Sequence, residues 1–345
     1  MKFIKKDLIK KALVLSAVSA VIILIIAAAL FFGVKYYSKI PYSESEETVI
    51  VDIQPGTGLV KTSALLKQKD LIKSPLIFKA YTVMIGFDKK IRAGEYELRK
   101  NMSASEILTI LAEGRVKLYK IVIPEGYALS QIALIVEASG LSDKKSFMES
   151  ATDREFIRSL GIKADSIEGY LFPETYLFPK KTSPQKIIKT MVAGLFKIYT
   201  PDFFKKSEQM GLSLHETLTL ASIIEKETGS ADERPIISSV FHNRLKIGMR
   251  LETDPTVIYG INNFDGNLTR KDLETPTPYN TYIINGLPPG PIASPGESAI
   301  KAALYPADTK YLYFVSKNDS THHFSENYKE HQNAVRQYQL RRKQD

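Results

Sequence analysis

The stretch SLHETLTLASIIEKETG, from Ser213 to Gly229, decides how the C-terminal half of the chain is read. Ser213 with Glu216 three places on is a capping box, so a helix opens here and runs to about Thr228, with Gly229 as its stop. At about 100° of rotation per residue, Glu227 falls on the stripe of Leu220, Ile223 and Ile224, while Glu225 lies about 160° away. The two glutamates therefore serve different surroundings in a regular helix, and Lys226 points in a third direction. A carboxyl at a helix end beside an apolar stripe loses water, and desolvation favours its protonated form. The negative end of the helix dipole acts in the same direction. Glu227 is thus a candidate general acid near neutrality; the plain alternative is a solvated surface glutamate.

Beyond this helix come long segments rich in Gly, Pro, Asn, Thr and Tyr, the composition of functional loops placed by a scaffold. Before it, residues 141–210 read as mainly helical. They are interrupted at Glu168-Gly-Tyr-Leu-Phe-Pro-Glu-Thr-Tyr176, where a rigid loop or short strand pair is expected. Further upstream, Thr48 to Ile53 is β-rich, Pro55-Gly56-Thr57-Gly58 breaks it, and Leu59 to Leu71 is helical in spacing. Ser74-Pro75 opens a second helix as cap and first position, and Arg92 to Leu98 reads as a strand. A weaker echo follows: strand Lys120 to Ile123, turn Pro124-Glu125-Gly126, helix Leu129 to Ala138, with a capping box at Ser103 and Glu106 between the two. Residues 48–140 are accordingly expected to form a small α+β module with a partial internal repeat.

Ala12 to Val34 carries no charge, and its 23 residues rise roughly 34 Å as a helix, enough to cross a hydrocarbon core of about 30 Å. Lys2, Lys5, Lys6, Lys10 and Lys11 precede it against a single Asp7. The cationic side stays in the cytoplasm, so residues 1–11 are expected inside, 12–34 across the membrane, 35–47 as a linker, and the rest outside. The apolar run exceeds the core of a signal peptide, which favours a retained single-pass anchor.

The 345 residues are 44% hydrophobic and 25% charged, so most of the chain can bury a core. A formal charge of +9 suits an anionic neighbourhood, but a body outside the cytoplasm argues against nucleic acid. The absence of cysteine excludes disulfides, thiolate metal sites, cysteine nucleophiles and a lipoprotein anchor. With no tryptophan, sugar stacking falls to the 18 Tyr and 16 Phe. His322, His323 and His331 follow no metal-binding spacing with a mechanism, and no metal or cofactor is expected.

Leu220 to Gly229 resembles the catalytic helix of the YceG-like endolytic murein transglycosylases, the MltG family. So do VFHNRLKIGMRLETDPTVIYG (Val240–Gly260), LETPTPYNTY (Leu273–Tyr282), GLPPGPIASPG (Gly286–Gly296) and YLYFV (Tyr311–Val315). The anchor, Pro55 to Gly58 and Arg92-Ala-Gly-Glu-Tyr96 fit the same architecture. The resemblance implies an α+β chain: a transmembrane helix, a small module like a lysin motif (LysM), and a lytic-transglycosylase-like catalytic domain over 141–345 with its core at 213–335. It also implies one essential glutamate, which falls on Glu227, with Glu225 as the fallback. The expected substrate is the bond between N-acetylmuramic acid and N-acetylglucosamine within nascent peptidoglycan strands. The expected product is a 1,6-anhydro end that stops elongation, and the implied partners are peptidoglycan synthases.

That scheme needs one carboxyl acting as acid and then as base, whereas an inverting hydrolase needs a second carboxylate to activate water. Asp254 is the first candidate for such a second group and Glu252 a weaker one; as Asp before Pro, Asp254 is equally a turn former. Asn243, Arg244, Tyr259, Tyr279, Asn280 and Tyr282 supply amide, guanidinium and phenol groups suited to sugar hydroxyls and acetamides. A groove lined by Tyr259, Tyr279 and Tyr282 is predicted beside Glu227. The competing functions are a muramidase acting on the same bond and a non-catalytic wall-binding protein.

Overall fold

Helix α1 spans Lys2–Tyr37. Within it Lys10–Tyr37 contains an 18-residue window with a mean hydropathy of 3.0 and no buried residue, so it is long and apolar enough to cross a membrane. The structure is a computed structural model describing residues 2–340, with side-chain surroundings defined from Lys10 onward. Residues 341–345, which include the end of a basic stretch that starts at Arg336, lie outside the described residues.

The chain forms two compact units that divide between Leu118 and Tyr119. The first has the expected strand–helix–helix–strand order: β1 (Thr48–Ile53), α2 (Leu59–Gln68), α3 (Pro75–Met84) and β2 (Gly94–Arg99), followed by α4 (Ala104–Glu113). β1 and β2 are antiparallel, with Val51 opposite Tyr96 and Val49 opposite Leu98. Alternate residues point inward, so Val51, Ile53, Tyr96 and Leu98 meet Leu66, Phe78, Ile107 and Leu111 in one core. The start signals act as read. The Ser74 hydroxyl accepts from the Ile77 N–H ahead of Pro75, and Ser103 and Glu106 close a reciprocal capping box on α4.

The expected module ends earlier than residue 140. The echo belongs to the second unit, where β3 (Leu118–Val122) pairs with β4 (Thr175–Pro179). Helix α5 (Leu129–Ala138) buries Leu129, Ile132, Ala133 and Val136 in the second core, together with Phe147. A helix follows the core that accepts its apolar stripe, and local repetition does not decide which core that is.

The second unit continues with α6 (Lys144–Ala151), α7 (Arg154–Ser159), α8 (Pro184–Ile198), α9 (Pro201–Gln209), α10 (Leu214–Glu227), α11 (Arg234–Lys246), α12 (Asp254–Gly260), α13 (Arg270–Glu274) and α14 (Glu297–Leu304). A hairpin of β5 (Tyr313–Ser316) and β6 (His322–Ser325) and helix α15 (Tyr328–Val335) close the described chain, with a π-helical turn at Arg336–Leu340. Helix α10 runs through the middle of this unit and is buried from Thr217 to Ile224. Its polar side chains enter an apolar core because they satisfy themselves locally. Thr217 and Thr219 donate to the carbonyls of Ser213 and His215, and Ser222 donates to that of Thr219.

The proline-rich loop Pro291 to Gly296 wraps α10 and is itself largely buried. Three of its four backbone N–H groups reach neighbouring elements. Ile292 N–H donates to the Ser222 hydroxyl, Ser294 N–H to the Tyr127 carbonyl and Gly296 N–H to the Glu225 carboxylate.

Candidate active site

Helix α10 ends at Glu227, because Thr228 turns to an extended conformation (φ −146°, ψ 137°). The stop is therefore a β-type residue, and Gly229 does not adopt the left-handed cap that its position suggests. Because α10 is buried on every side, both glutamates at its end are sheltered, which a single apolar stripe does not foresee. They face different partners, as the helical spacing requires. The Glu225 carboxylate is 3.0 Å from Arg234 Nη2 and accepts from Gly296 N–H at 2.9 Å. It is a strut between α10, α11 and the buried loop.

Glu227 is crowded by protein on all sides except one, where it opens into a cavity of about 410 Å³. Asp254, Tyr282, Tyr313, His322 and Glu252 share that cavity. Burial pushes the Glu227 carboxyl up to about 7, and the charge of Asp254 pushes the same way. The hydrogen bond from the Thr253 hydroxyl and the charges of His322 and Arg244 pull it back. Thr253 donates to the Glu227 carboxyl through Oγ1. Its own N–H donates to Thr281 Oγ1 at 3.0 Å, and Thr256 and Thr281 share a further hydroxyl contact at 2.8 Å. Thr253, braced by Thr281 and through it by Thr256 of α12, thus holds one side of the carboxyl and leaves the other facing the cavity. Glu252, just before Thr253, has φ 46°, a conformation a glutamate adopts only under constraint from its surroundings.

Asp254 enters this cavity as the first residue of α12, and the Tyr282 hydroxyl donates to its Oδ1 at 2.7 Å. Arg244 also lines the cavity, but its guanidinium is occupied. Nε donates to the Leu312 carbonyl at 2.6 Å and Nη1 to that of Leu251 at 2.8 Å, and the group lies 5.3 Å from the centre of the Tyr313 ring. Asn243 donates to the carbonyls of Thr309 and Tyr311. Asn280, fully buried, donates to those of Asp272, Leu273 and Thr275 and accepts from Tyr282 N–H. Asn243 and Asn280 thus brace the loops around the cavity, because a buried amide must spend its donors inside the protein, and Arg244 braces them through Nε and Nη1 while still lining the cavity.

The expected tyrosine groove is divided. Tyr282 belongs to the Glu227 cavity, while Tyr259 and Tyr279 line a second one of about 700 Å³. Their rings lie 4.7 Å apart between centroids. The wall they share holds Glu168, a residue sequence reasoning left within an undecided loop. Its oxygens accept from Leu129 N–H at 2.9 and 3.1 Å and from the Tyr259 hydroxyl at 3.1 Å. Burial pushes the Glu168 carboxyl up to about 7, while those hydrogen bonds lower it. Gly169 follows with φ 80°, and a Cβ there would lie 2.3 Å from Pro291 Cβ, so glycine is required for the loop to meet the wall.

His322 is the other residue sequence reasoning did not place. Its Nδ1 is 2.7 Å from the Glu233 carboxylate, which also accepts from the His322 N–H at 2.8 Å. Nδ1 therefore carries a proton. Among the described residues no three His, Cys, Asp or Glu side chains are grouped to hold a metal ion. The only advance signal for Thr253 is adjacency to Asp254, and sequence reasoning treats His322 only as a metal candidate.

Residues 51–337 match the model of the YceG-like family. The chain is 36% identical over 332 residues to the endolytic murein transglycosylase of Bacillus subtilis (strain 168), covering 91% of each protein. It is 30% identical over 363 residues to the endolytic murein transglycosylase of Streptococcus pneumoniae serotype 2, covering 95% of this chain and 65% of that protein. The crystal structure of a YceG-like protein from Listeria monocytogenes is similar with a TM-score of 0.58 and 37% identity, covering 84% of this chain and 99% of that one.

Proposed function

The chain belongs to the YceG-like family, and from that premise we propose that it cuts peptidoglycan glycan strands internally as a lytic transglycosylase, with Glu227 as its single acid and base. The observation that carries this reading is the Glu227 carboxyl itself: partly buried, pushed up to about 7, and open to solvent only through a cavity. Such a group holds its proton at neutral pH and gives it to a leaving oxygen as the bond breaks.

In this scheme Glu227 protonates the oxygen between N-acetylmuramic acid and N-acetylglucosamine, through an oxocarbenium-like transition state. The resulting carboxylate takes the proton of the muramic acid 6-hydroxyl, which closes on its own anomeric carbon. The products are a 1,6-anhydro end and a free N-acetylglucosamine end, with no water consumed and Glu227 protonated again. Thr253 orients the carboxyl. Asp254 and Tyr282 line the sugar-facing wall, and the partial charge developing on the sugar is matched by the Asp254 carboxylate.

Asp254 also favours one second reading. A carboxylate fixed in the same cavity is what a hydrolase needs to activate water. Mass spectrometry of the fragments released from sacculi separates the two. Anhydro ends are expected, and reducing ends one water heavier would establish a muramidase instead.

The helix at Lys10–Tyr37 serves as a single-pass anchor with residues 1–11 in the cytoplasm and the two folded units outside. The strand–helix–helix–strand unit is read as a LysM-like module that meets the glycan. Termination of growing strands beside the synthases is the cellular role this reading implies.

A further inference from the structure

We propose that the second cavity, walled by Tyr259, Tyr279 and Pro289 to Pro291, takes the carboxylate-bearing stem peptide of the strand whose backbone lies at Glu227. This rests on the strand-cutting function proposed above and names a part of the substrate that the reaction itself does not touch. Helix α12 links the two cavities. Asp254, its first residue, faces the Glu227 cavity, and Tyr259, one before its last, faces the second. Five residues of helix separate them by roughly 8 Å along the axis, so a side branch of a bound strand has only one short helix to cross.

The cavity is built for a ligand with an apolar body and a negative end. Its floor is the Tyr259–Tyr279 pair and the Pro289-Gly290-Pro291 backbone. Gly290 is held tight: a Cβ there would lie 3.1 Å from His215 Nε2 and 3.6 Å from the Tyr279 hydroxyl. His215 is fixed as part of this wall. Nε2 donates to the Pro289 carbonyl at 2.8 Å, which leaves Nδ1 to accept from the Tyr170 hydroxyl at 2.9 Å. At the rim stand Arg158 and Lys163, both exposed and with no ion pair among the described residues. Asp165, the rim's one exposed acid, is engaged 3.1 Å away by Arg154.

The remaining acid, Glu168, has both oxygens engaged by Leu129 N–H and the Tyr259 hydroxyl, and burial favours its neutral form. The rim is therefore net positive. In a peptidoglycan strand the sugars are uncharged, because the lactyl acid is tied up as an amide where a peptide is attached. The stem peptide carries the free carboxylates and small apolar side chains, which matches cations above a tyrosine and proline floor.

The test uses the full-length protein in detergent on two substrates, uncrosslinked strands bearing stem peptides and the same strands stripped of peptide by an amidase. Wild type is expected to favour the peptide-bearing strands in kcat/KM. Arg158→Ala with Lys163→Ala is expected to narrow that preference by roughly fivefold or more through KM, and Arg158→Glu with Lys163→Glu to narrow it further. An unchanged ratio in both variants, or an equal loss on both substrates, overturns the stem-peptide site while leaving the cutting function standing. Failure of the wild type to cut either strand overturns the function itself.

Discussion

Two carboxyls in the C-terminal unit are pushed up to about 7 by burial, and the molecule holds them in opposite ways. Glu168 is surrounded: a helix-end N–H reaches both of its oxygens and a tyrosine hydroxyl donates to one of them. Glu227 sits at the other end of a helix, where carbonyls rather than N–H groups project, and a single threonine hydroxyl steadies it. A raised pKa therefore does not by itself distinguish a reacting acid from a structural one. What distinguishes them is the free face. Glu227 has one turned to a cavity that also holds Asp254 and Tyr282, whereas Glu168, though it lines the second cavity, has both oxygens engaged by Leu129 N–H and the Tyr259 hydroxyl.

The comparison breaks most easily on activity. Glu227→Gln keeps the size of the side chain and removes the proton, and cleavage of strands is expected to fall by about 10²- to 10⁴-fold. Glu168→Gln keeps an acceptor for Leu129 N–H and should cost less than about tenfold, since it lies outside the reacting cavity. Initial rates of muropeptide release from the two variants, with folding checked by circular dichroism, decide the matter. Equal losses would mean that the two carboxyls share the chemistry.

The third glutamate, Glu225, sharpens the contrast through stability. Its pair with Arg234 is buried, with side chains 6% and 10% exposed. Arg234→Ala leaves a sheltered carboxylate without its cation and should destabilise the second unit by about 3–5 kcal/mol. Thermal unfolding of the full chain in detergent reads this as a lowered midpoint. A variant as stable as wild type would show that Glu225 finds solvent easily, and the reason for preferring Glu227 would weaken with it.

These outcomes bear on what could be read from the chain alone. The two capping boxes, the Ser-Pro helix start and the long apolar helix near the N-terminus are local signals, and each element is found where its residues place it. The angular separation of Glu225 from Glu227 is equally local, and it holds. Occupancy of donors is not local. Asn243 reads as free for a sugar until the chain 66 and 68 positions later brings two carbonyls to it, and Arg244 until Leu312 does the same. Glu168 owes its helix-end partner to a residue 39 positions earlier. The side chains best suited to sugars are also those best suited to bracing loops, and only the tertiary fold assigns each its part.

A smaller effect separates the carboxyls by pH. A group that binds its proton more tightly when folded makes the fold less stable as pH rises from its unfolded value near 4.5 to its folded value of about 7. Glu168→Gln removes that dependence. The variant should match wild type at pH 4 and exceed it by up to about 3 kcal/mol above pH 7.5. Unfolding midpoints at the two pH values test this, and a variant destabilised equally at both would show that the charged form is well solvated in the fold.

The smallest expected effect concerns the proton on Glu227 and the imidazole across the cavity. His322 is held by Glu233 on its Nδ1 side, and an imidazolium charge at this place favours ionised Glu227. Replacing it by glutamine removes the group that carries that charge and leaves Glu233 without its partner. Both changes make the cavity more negative and so strengthen the hold of Glu227 on its proton. The acid form then persists to higher pH. The alkaline limb of kcat/KM, which reports loss of that proton from the free enzyme, should move upward by a fraction of a pH unit in His322→Gln. A limb that stays in place or moves downward would show that His322 does not act on Glu227 through its charge.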